Sequence, residues 1–349
     1  MGNTHTQLRQ AVITGIGVYV PARRMSNNEL ATFLDTSDEW IYSKTGIHNR
    51  HIANDNEATS DLAAAAARDA LEDAGIPARD VDLILVATSS PDYNGLPSTA
   101  CVVQDLIGAD NAAAMDVAAV CSGFVYALET ARAFVASGSM GTVLVIGSEI
   151  YSRVVNWQDR STCVLFGDGA GAAVVQSAGI AEAGRPGKTT PAGLPPGEVL
   201  DSVLKARGRD AAALIRPAGG TRQPIKPGED IGHDQFLQMD GRKVYNFAVS
   251  AIGKIVHDLL QRNSLSIDQI DWIIPHQANA RILEAAAKRI GFPVERMFSN
   301  IQEYANTSAA SIPIAIKEMA GKGLLQSGQK VITVGFGAGL TYGGNLIQL

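Results

Sequence analysis

The chain has 349 residues, 46% of them hydrophobic and 18% charged, a composition that fits a folded globular protein and excludes a disordered one. A formal charge of −6 argues against a general nucleic-acid binder. No apolar run is long enough to span a membrane, and residues 1–7 are too polar to open a signal peptide, so the expectation is a cytoplasmic protein with no nucleic-acid or membrane partner.

From the amino end, strand-like runs alternate with helical patterns. Residues 11–20 predict a strand. The run TSDLAAAAARDALEDA predicts a helix over 59–74, with Thr59 or Ser60 as cap and Gly75 as stop. A buried strand over 81–89, a helix through 100–106 and a strand over 112–117 follow. Then Cys121 opens a pattern in which Phe124, Leu128, Ala131, Phe134 and Val135 recur at helical spacing up to Gly138. A helix starting at Ser122 would put Cys121 among free N–H groups at the positive end of the helix dipole. That position favours thiolate and reads as a nucleophile; a buried structural cysteine fits this segment equally well. Strands are expected at 142–148 and 172–176. Between two strand-like runs, Phe166-Gly167-Asp168-Gly169-Ala170-Gly171 reads as a tight turn and not a phosphate loop, since no helix follows it.

Residues 181–240 are rich in proline and glycine and read as loops with one short helix near 198–207. Such a segment serves as a lid or channel wall, or is a surface excursion. The expected organisation is an α/β protein with one half over 1–180, this irregular insertion over 181–240, and a second half over 241–349. In the second half, helices are expected at 243–262, 278–290 and 308–322, and strands at 270–275, 330–335 and 343–348. His276 ends a strand as Cys121 follows one, which hints at a duplicated α/β unit. The three cysteines, Cys101, Cys121 and Cys163, lack metal-ligand spacing, so no metal site and a reducing compartment are expected.

Six segments together carry a resemblance: Ser37-Asp38-Glu39-Trp40-Ile41 with Thr45-Gly46-Ile47; Cys121-Ser122-Gly123-Phe124; Phe166 to Ala172; Pro275-His276-Gln277-Ala278-Asn279; Asn306-Thr307-Ser308-Ala309-Ala310-Ser311; and Phe336-Gly337-Ala338-Gly339. In this order they resemble the β-ketoacyl-acyl-carrier-protein synthase III family of thiolase-fold condensing enzymes, from about residue 11 to the end. The resemblance implies a thiolase-like five-layered α/β/α/β/α fold from two duplicated halves, a homodimer, and a ping-pong condensation of an acyl-CoA primer with a malonyl thioester, using coenzyme A thioesters as substrates and no cofactor. Cys121, His276 and Asn306 would be catalytic, with the backbone N–H groups of Cys121 and Ala338 as oxyanion hole. Trp40, Lys44, Arg160, Asn279 and Arg281 match coenzyme A and tunnel positions; Lys44 stands where many relatives have arginine and lacks its planar fork. Arg281, Lys288 and Arg289 on one helix would dock an acyl carrier protein, although Asn246 replaces a lysine common in relatives. Leu96 falls where a bulky aromatic of the partner subunit limits the acyl pocket in some relatives, which leaves room for primers longer than acetyl. Two other readings keep the same residues: acyl transfer from Cys121 to a hydroxyl or amine, and a non-catalytic paralogue that binds acyl thioesters.

Overall fold

The structure is a computed structural model that describes residues 8–184 and 188–349; the opening heptapeptide and residues 185–187 of the proline-rich segment lie outside the described residues. Its strands are β1 Ala11–Tyr19, β2 Arg23–Ser26, β3 Asn49–Ile52, β4 Leu83–Ala87, β5 Ala113–Val117, β6 Thr142–Glu149, β7 Gly169–Ser177, β8 Gly197–Ala206, β9 Leu214–Ile215, β10 Gln238–Met239, β11 Trp272–Pro275, β12 Lys330–Gly337 and β13 Thr341–Gln348. Its helices are α1 Asn27–Leu30, α2 Asp38–Thr45, α3 Thr59–Ala74, α4 Thr99–Ile107, α5 Gly123–Ser137, α6 Ala178–Gly184, α7 Gly241–Arg262, α8 Ala280–Ile290, α9 Ile301–Tyr304 and α10 Ser311–Gly321.

Nine strands form one sheet in the order β11-β12-β13-β8-β1-β7-β6-β4-β5. The sheet is two copies of one motif joined at β1 and β8, which pair antiparallel. In the first copy β4 runs parallel to β5 and β6, and β7 runs antiparallel to β6 and β1. In the second, β11 runs parallel to β12, and β13 runs antiparallel to β12 and β8. The counterpart of β5 is reduced to a single parallel bridge between Ile273 and Met297. Helices α3 and α4 pack on the outer face of the first copy and α7 and α8 on that of the second, while α5 and α10 lie between the copies. The order is α/β/α/β/α, as the sequence resemblance implied. The apolar residues of α5 explain its central place: Phe124, Val125, Leu128, Ala131 and Val135 are all fully buried, since both faces of this helix meet a sheet.

The structure corrects several expectations. The segment expected as a helix near 198–207 is β8, a central strand. Val199 and Val203 mimic a helical i, i+4 pair, but a bulge breaks the register: Leu346 pairs with Asp201 and Ile347 with Val199. The bulge turns Val199 and Val203 to opposite faces, into the two different cores that hold Ile347 and Leu346. Gly169-Ala170-Gly171 opens strand β7 and is not a turn. Neither Thr59 nor Ser60 caps α3; the Asp61 carboxylate accepts from the Ala58 N–H, while the Thr59 hydroxyl donates to the Ser90 carbonyl. The duplication also pairs the residues differently. Cys121 follows the third strand of its motif and opens α5, so its counterpart is the turn carrying Asn306 before α10. His276 follows β11 and corresponds to the Thr88–Ser89 end of β4.

Candidate active site

The first turns of the two central helices meet. Cys121 sits in a 3-10 turn, Val120–Ser122, pressed against β12. Two glycines make this approach possible: a Cβ on Gly337 would stand 2.9 Å from the Cys121 Cβ, and one on Gly335 would stand 2.8 Å from the Ser122 Cα. Val120 has φ 47°, and Ala305 and Ser308, on either side of Asn306, have φ 55° and 50°. Left-handed backbone at non-glycine residues costs about 1–3 kcal/mol each and persists where packing over-determines it. Here it aims the reactive side chains.

Cys121, His276 and Asn306 open into one cavity of about 230 Å³, with Tyr151, Phe166 and Phe336 among its walls. The Asn306 Oδ1 accepts from the Ser308 N–H at 2.9 Å. This pins the amide, and its Nδ2 remains to donate. The His276 Nδ1 meets the Ser311 Oγ at 2.7 Å, and the ring packs edge-on against Phe336. Burial lowers its pKa from 6.5 to about 3, with a backbone contact to Ser308 opposing, so the ring is neutral at physiological pH.

The expectation that Cys121 favours thiolate is reversed in the resting site. Burial pushes the thiol up to about 12, and the Glu149 charge adds to this, while hydrogen bonds from Ser308 and from the cysteine's own N–H oppose it. Sequence reasoning missed this environment. Glu149 is fully buried. It accepts from the N–H and hydroxyl groups of Ser89 and Ser90, the latter hydroxyl at 2.5 Å, and from the Ser308 hydroxyl at 3.0 Å. Tyr151 closes the network through Ser89 at 2.9 Å. The only signal in the sequence was a carboxylate ending the apolar run Thr142–Glu149.

At the cavity mouth the structure gathers Trp40, Lys44, Arg160 and Asn279. The Arg160 guanidinium lies 5.1 Å from the Trp40 ring centroid and donates to the Asp35 carbonyl. The Asn279 Oδ1 caps α8 by accepting from the Arg281 N–H, and its Nδ2 donates to the Lys44 carbonyl, tying α8 to α2. Arg281 is not part of the wall; it is spent on the Ser43 carbonyl and on Glu284. Lys288 is exposed in the last turn of α8, where Arg289 lines a groove with Lys254 and His257 of α7. Ala338 begins the turn after β12 and faces an adjoining chamber of about 200 Å³, with Val120, Tyr151, Leu214 and Leu237. Leu214, Leu237 and Met239, from the proline-rich segment, also wall the main cavity. Leu96 is 88% exposed and lies outside the cavity of its own chain.

Fold and site define a thiolase-fold condensing enzyme, a class of acyltransferase. Residues 115–187 match the family model described as 3-oxoacyl-[acyl-carrier-protein (ACP)] synthase III, and residues 260–349 match its C-terminal model. The chain is 46% identical over 338 residues to beta-ketoacyl-[acyl-carrier-protein] synthase III of Caldanaerobacter subterraneus subsp. tengcongensis, covering 97% of each. It is 45% identical to the Neisseria gonorrhoeae protein of the same name, covering 98% of this chain and 100% of that one. Among solved structures it is similar to 3-oxoacyl-[acyl-carrier-protein] synthase III from Aquifex aeolicus VF5, with TM-score 0.84 and 38% identity over 97% of this chain and 100% of that one. It is also similar to the priming beta-ketosynthase of the R1128 polyketide pathway, with TM-score 0.87 and 33% identity over 100% and 99%. The chain belongs to the β-ketoacyl-[acyl-carrier-protein] synthase III family.

Proposed function

We propose that the protein carries out a ping-pong decarboxylative condensation of an acyl-CoA primer with malonyl-acyl-carrier-protein. The carrying observation is that one cavity holds Cys121, a neutral His276 and an Asn306 whose oxygen is already engaged. The Cys121 Sγ attacks the acyl thioester carbonyl; the acyl group passes to sulfur, and coenzyme A leaves as its thiol with the displaced proton. The N–H groups of Cys121, second in its turn, and of Ala338, first in its own, lie where the N–H groups of a turn have no partner within it, and they serve as the oxyanion hole. A malonyl thioester then enters. We assign the Nε2–H tautomer to His276, with the Ser311 hydroxyl, which reaches both Nδ1 at 2.7 Å and the Ser308 carbonyl at 2.8 Å, turning its single proton to Nδ1. The His276 Nε2–H and Asn306 Nδ2–H donate to the malonyl carbonyl oxygen. The bond to the carboxylate breaks, CO2 leaves and its electron pair forms an enolate held by these donors. The enolate carbon attacks the acyl-cysteine, the C–S bond breaks to leave Cys121 as a thiolate that takes a proton from solvent, and the β-ketoacyl thioester departs.

Trp40 and Arg160 would hold the nucleotide end of coenzyme A, with Lys44 and Asn279 at the tunnel wall. Lys288 and Arg289 would present positive charge to an acidic carrier protein, and Arg281 would add to it only by giving up its ion pair with Glu284. The exposed Leu96, and the outer edge of β5 with Met115 37% exposed, favour a second copy covering this side and lending Leu96 to its partner's acyl chamber. No helix among the described residues is long and apolar enough to cross a membrane, which supports a cytoplasmic place for the enzyme.

His276→Ala and Asn306→Ala test the assignment of roles. Both variants should take up one acyl group from acyl-CoA yet fail to release CO2 from malonyl thioester. Normal CO2 release by both would overturn the enolate-stabilising role.

A further inference from the structure

The chamber of about 200 Å³ that Ala338 faces shares Tyr151, Leu214 and Leu237 with the main cavity. Val120, the neighbour of Cys121, and Ala338 set its inner end, so an acyl chain carried on Cys121 can extend into it. Its walls are mostly apolar, and the hydroxyls of Ser89 and Tyr151 are spent on each other and on Glu149. Arg216 breaks this pattern. It follows β9, two residues after Leu214, and strand alternation puts its side chain on the same face as Leu214, toward the chamber. Its Nε donates to the Gln235 carbonyl at 2.7 Å, which fixes the plane of the guanidinium. Among the described residues no carboxylate pairs with it, and the N–H groups of Nη1 and Nη2 have no partner. Arg160 and Arg281, by contrast, are engaged with Asp35 and Glu284. Ile215 and Arg216 are exposed while Tyr151, Val154 and Leu214 are buried, so the cation stands at the outer end of the chamber.

We propose that the chamber receives the chain of an ω-carboxyacyl-CoA, the half thioester of a dicarboxylic acid, and that Arg216 selects this primer by binding its distal carboxylate. The proposal rests on Cys121 as the acyl carrier. A carboxylate brought between apolar walls loses its hydration and needs a partner in return. The free edge of the Arg216 guanidinium offers one N–H from each Nη, a pair of parallel donors that fits two carboxylate oxygens and that a methyl terminus cannot use. The transfer keeps its balance. The C–S bond to coenzyme A breaks, a C–S bond to the Cys121 Sγ forms, and the thiol proton leaves with coenzyme A. The distal carboxylate takes no part in the bond changes, and the condensation then releases a β-ketoacyl thioester that still carries it.

Acylation of Cys121, followed by intact mass, tests this with thioesters paired by carbon number: succinyl- against butyryl-CoA, adipyl- against hexanoyl-CoA, and suberyl- against octanoyl-CoA. The readout is the ratio of the two second-order acylation rates within each pair. In wild type the ω-carboxyacyl thioester should react at least as fast as the alkanoyl one in the pair whose length fits the chamber. Arg216→Met keeps the apolar stem and should lower that ratio roughly tenfold or more. Arg216→Lys keeps the charge but not the paired N–H groups, and its ratio should fall between the two. A merely structural role for Arg216 would slow both thioesters of a pair alike and leave the ratio unmoved. A ratio that Arg216→Met does not change, or a wild type that favours the alkanoyl thioester in every pair, would overturn the proposal. If Cys121 takes no acyl group from either kind of thioester, the reading of Cys121 as acyl carrier fails, and the selection by Arg216 falls with it.

Discussion

His276 is neutral because it is buried, and this choice has a cost in acid. Its pKa lies near 3 in the folded protein against 6.5 unfolded, so between these values the unfolded chain binds more protons. Stability is therefore fully present above pH 6.5 and falls as pH drops toward 3. Replacing His276 by asparagine removes this titration. Chemical denaturation of both proteins should show wild type losing about 3 kcal/mol more than His276→Asn between roughly pH 6.5 and pH 4. Equal losses would mean that the ring charges in place without penalty. The reactive residues themselves were legible in the sequence: Cys121, His276 and Asn306 each end an apolar run, and the cavity brings all three together. The ionisation of Cys121 was not legible. A helix start argues for thiolate, but burial and Glu149, which is 28 residues from Cys121 in sequence, outweigh it here. A sequence pattern carries no record of which carboxylate lies beneath which thiol.

Among the elements, those read from strong periodicity match well. The helix expected over 59–74 is observed as Thr59–Ala74, and the apolar stripe after Cys121 becomes α5. The misreading fell on β8, where a bulge places Val199 and Val203 four apart on opposite faces. Spacing alone cannot separate this from a helix, because the bulge is fixed by the partner strand and not by local preference. The closest fit between elements is β12 against the Cys121 turn. Gly337→Ala should cost about 1–3 kcal/mol by overpacking, read as a lowered denaturation midpoint. Its added methyl would push the Cys121 turn, so acyl uptake should fall by more than tenfold even in the folded fraction, a loss of about 1.4 kcal/mol or more in the transition state. Wild-type acylation in this variant would show that the close contact does not set the position of the nucleophile.

At the scale of the whole molecule, duplication explains why the site lies where it does. Two copies of one motif bring the N-terminal turns of α5 and α10 together at the centre, one carrying Cys121 and the other Asn306, and His276 joins them from the end of β11. The sequence hinted at duplication but matched Cys121 with His276, because the third strand of the second copy has shrunk to one bridge at Met297 and leaves little pattern to read. The same view leaves one side of the molecule uncovered, at the edge of β5 and the exposed Leu96. Sedimentation equilibrium should give a mass twice the 36.7 kDa of the chain. A monomer that is fully active at the same concentration would show that no residue of a partner is needed to complete the acyl chamber.

The central claim is that Cys121 carries an acyl group which a malonyl thioester then discharges. Intact mass spectrometry after exposure to a panel of acyl-CoAs, followed by malonyl-acyl-carrier-protein, tests it most directly. The account predicts one acyl mass on wild type and none on Cys121→Ala, then loss of that mass with release of CO2 and a β-ketoacyl thioester. A protein that never takes the label, or one whose acyl-cysteine persists in the presence of malonyl thioester, would contradict it.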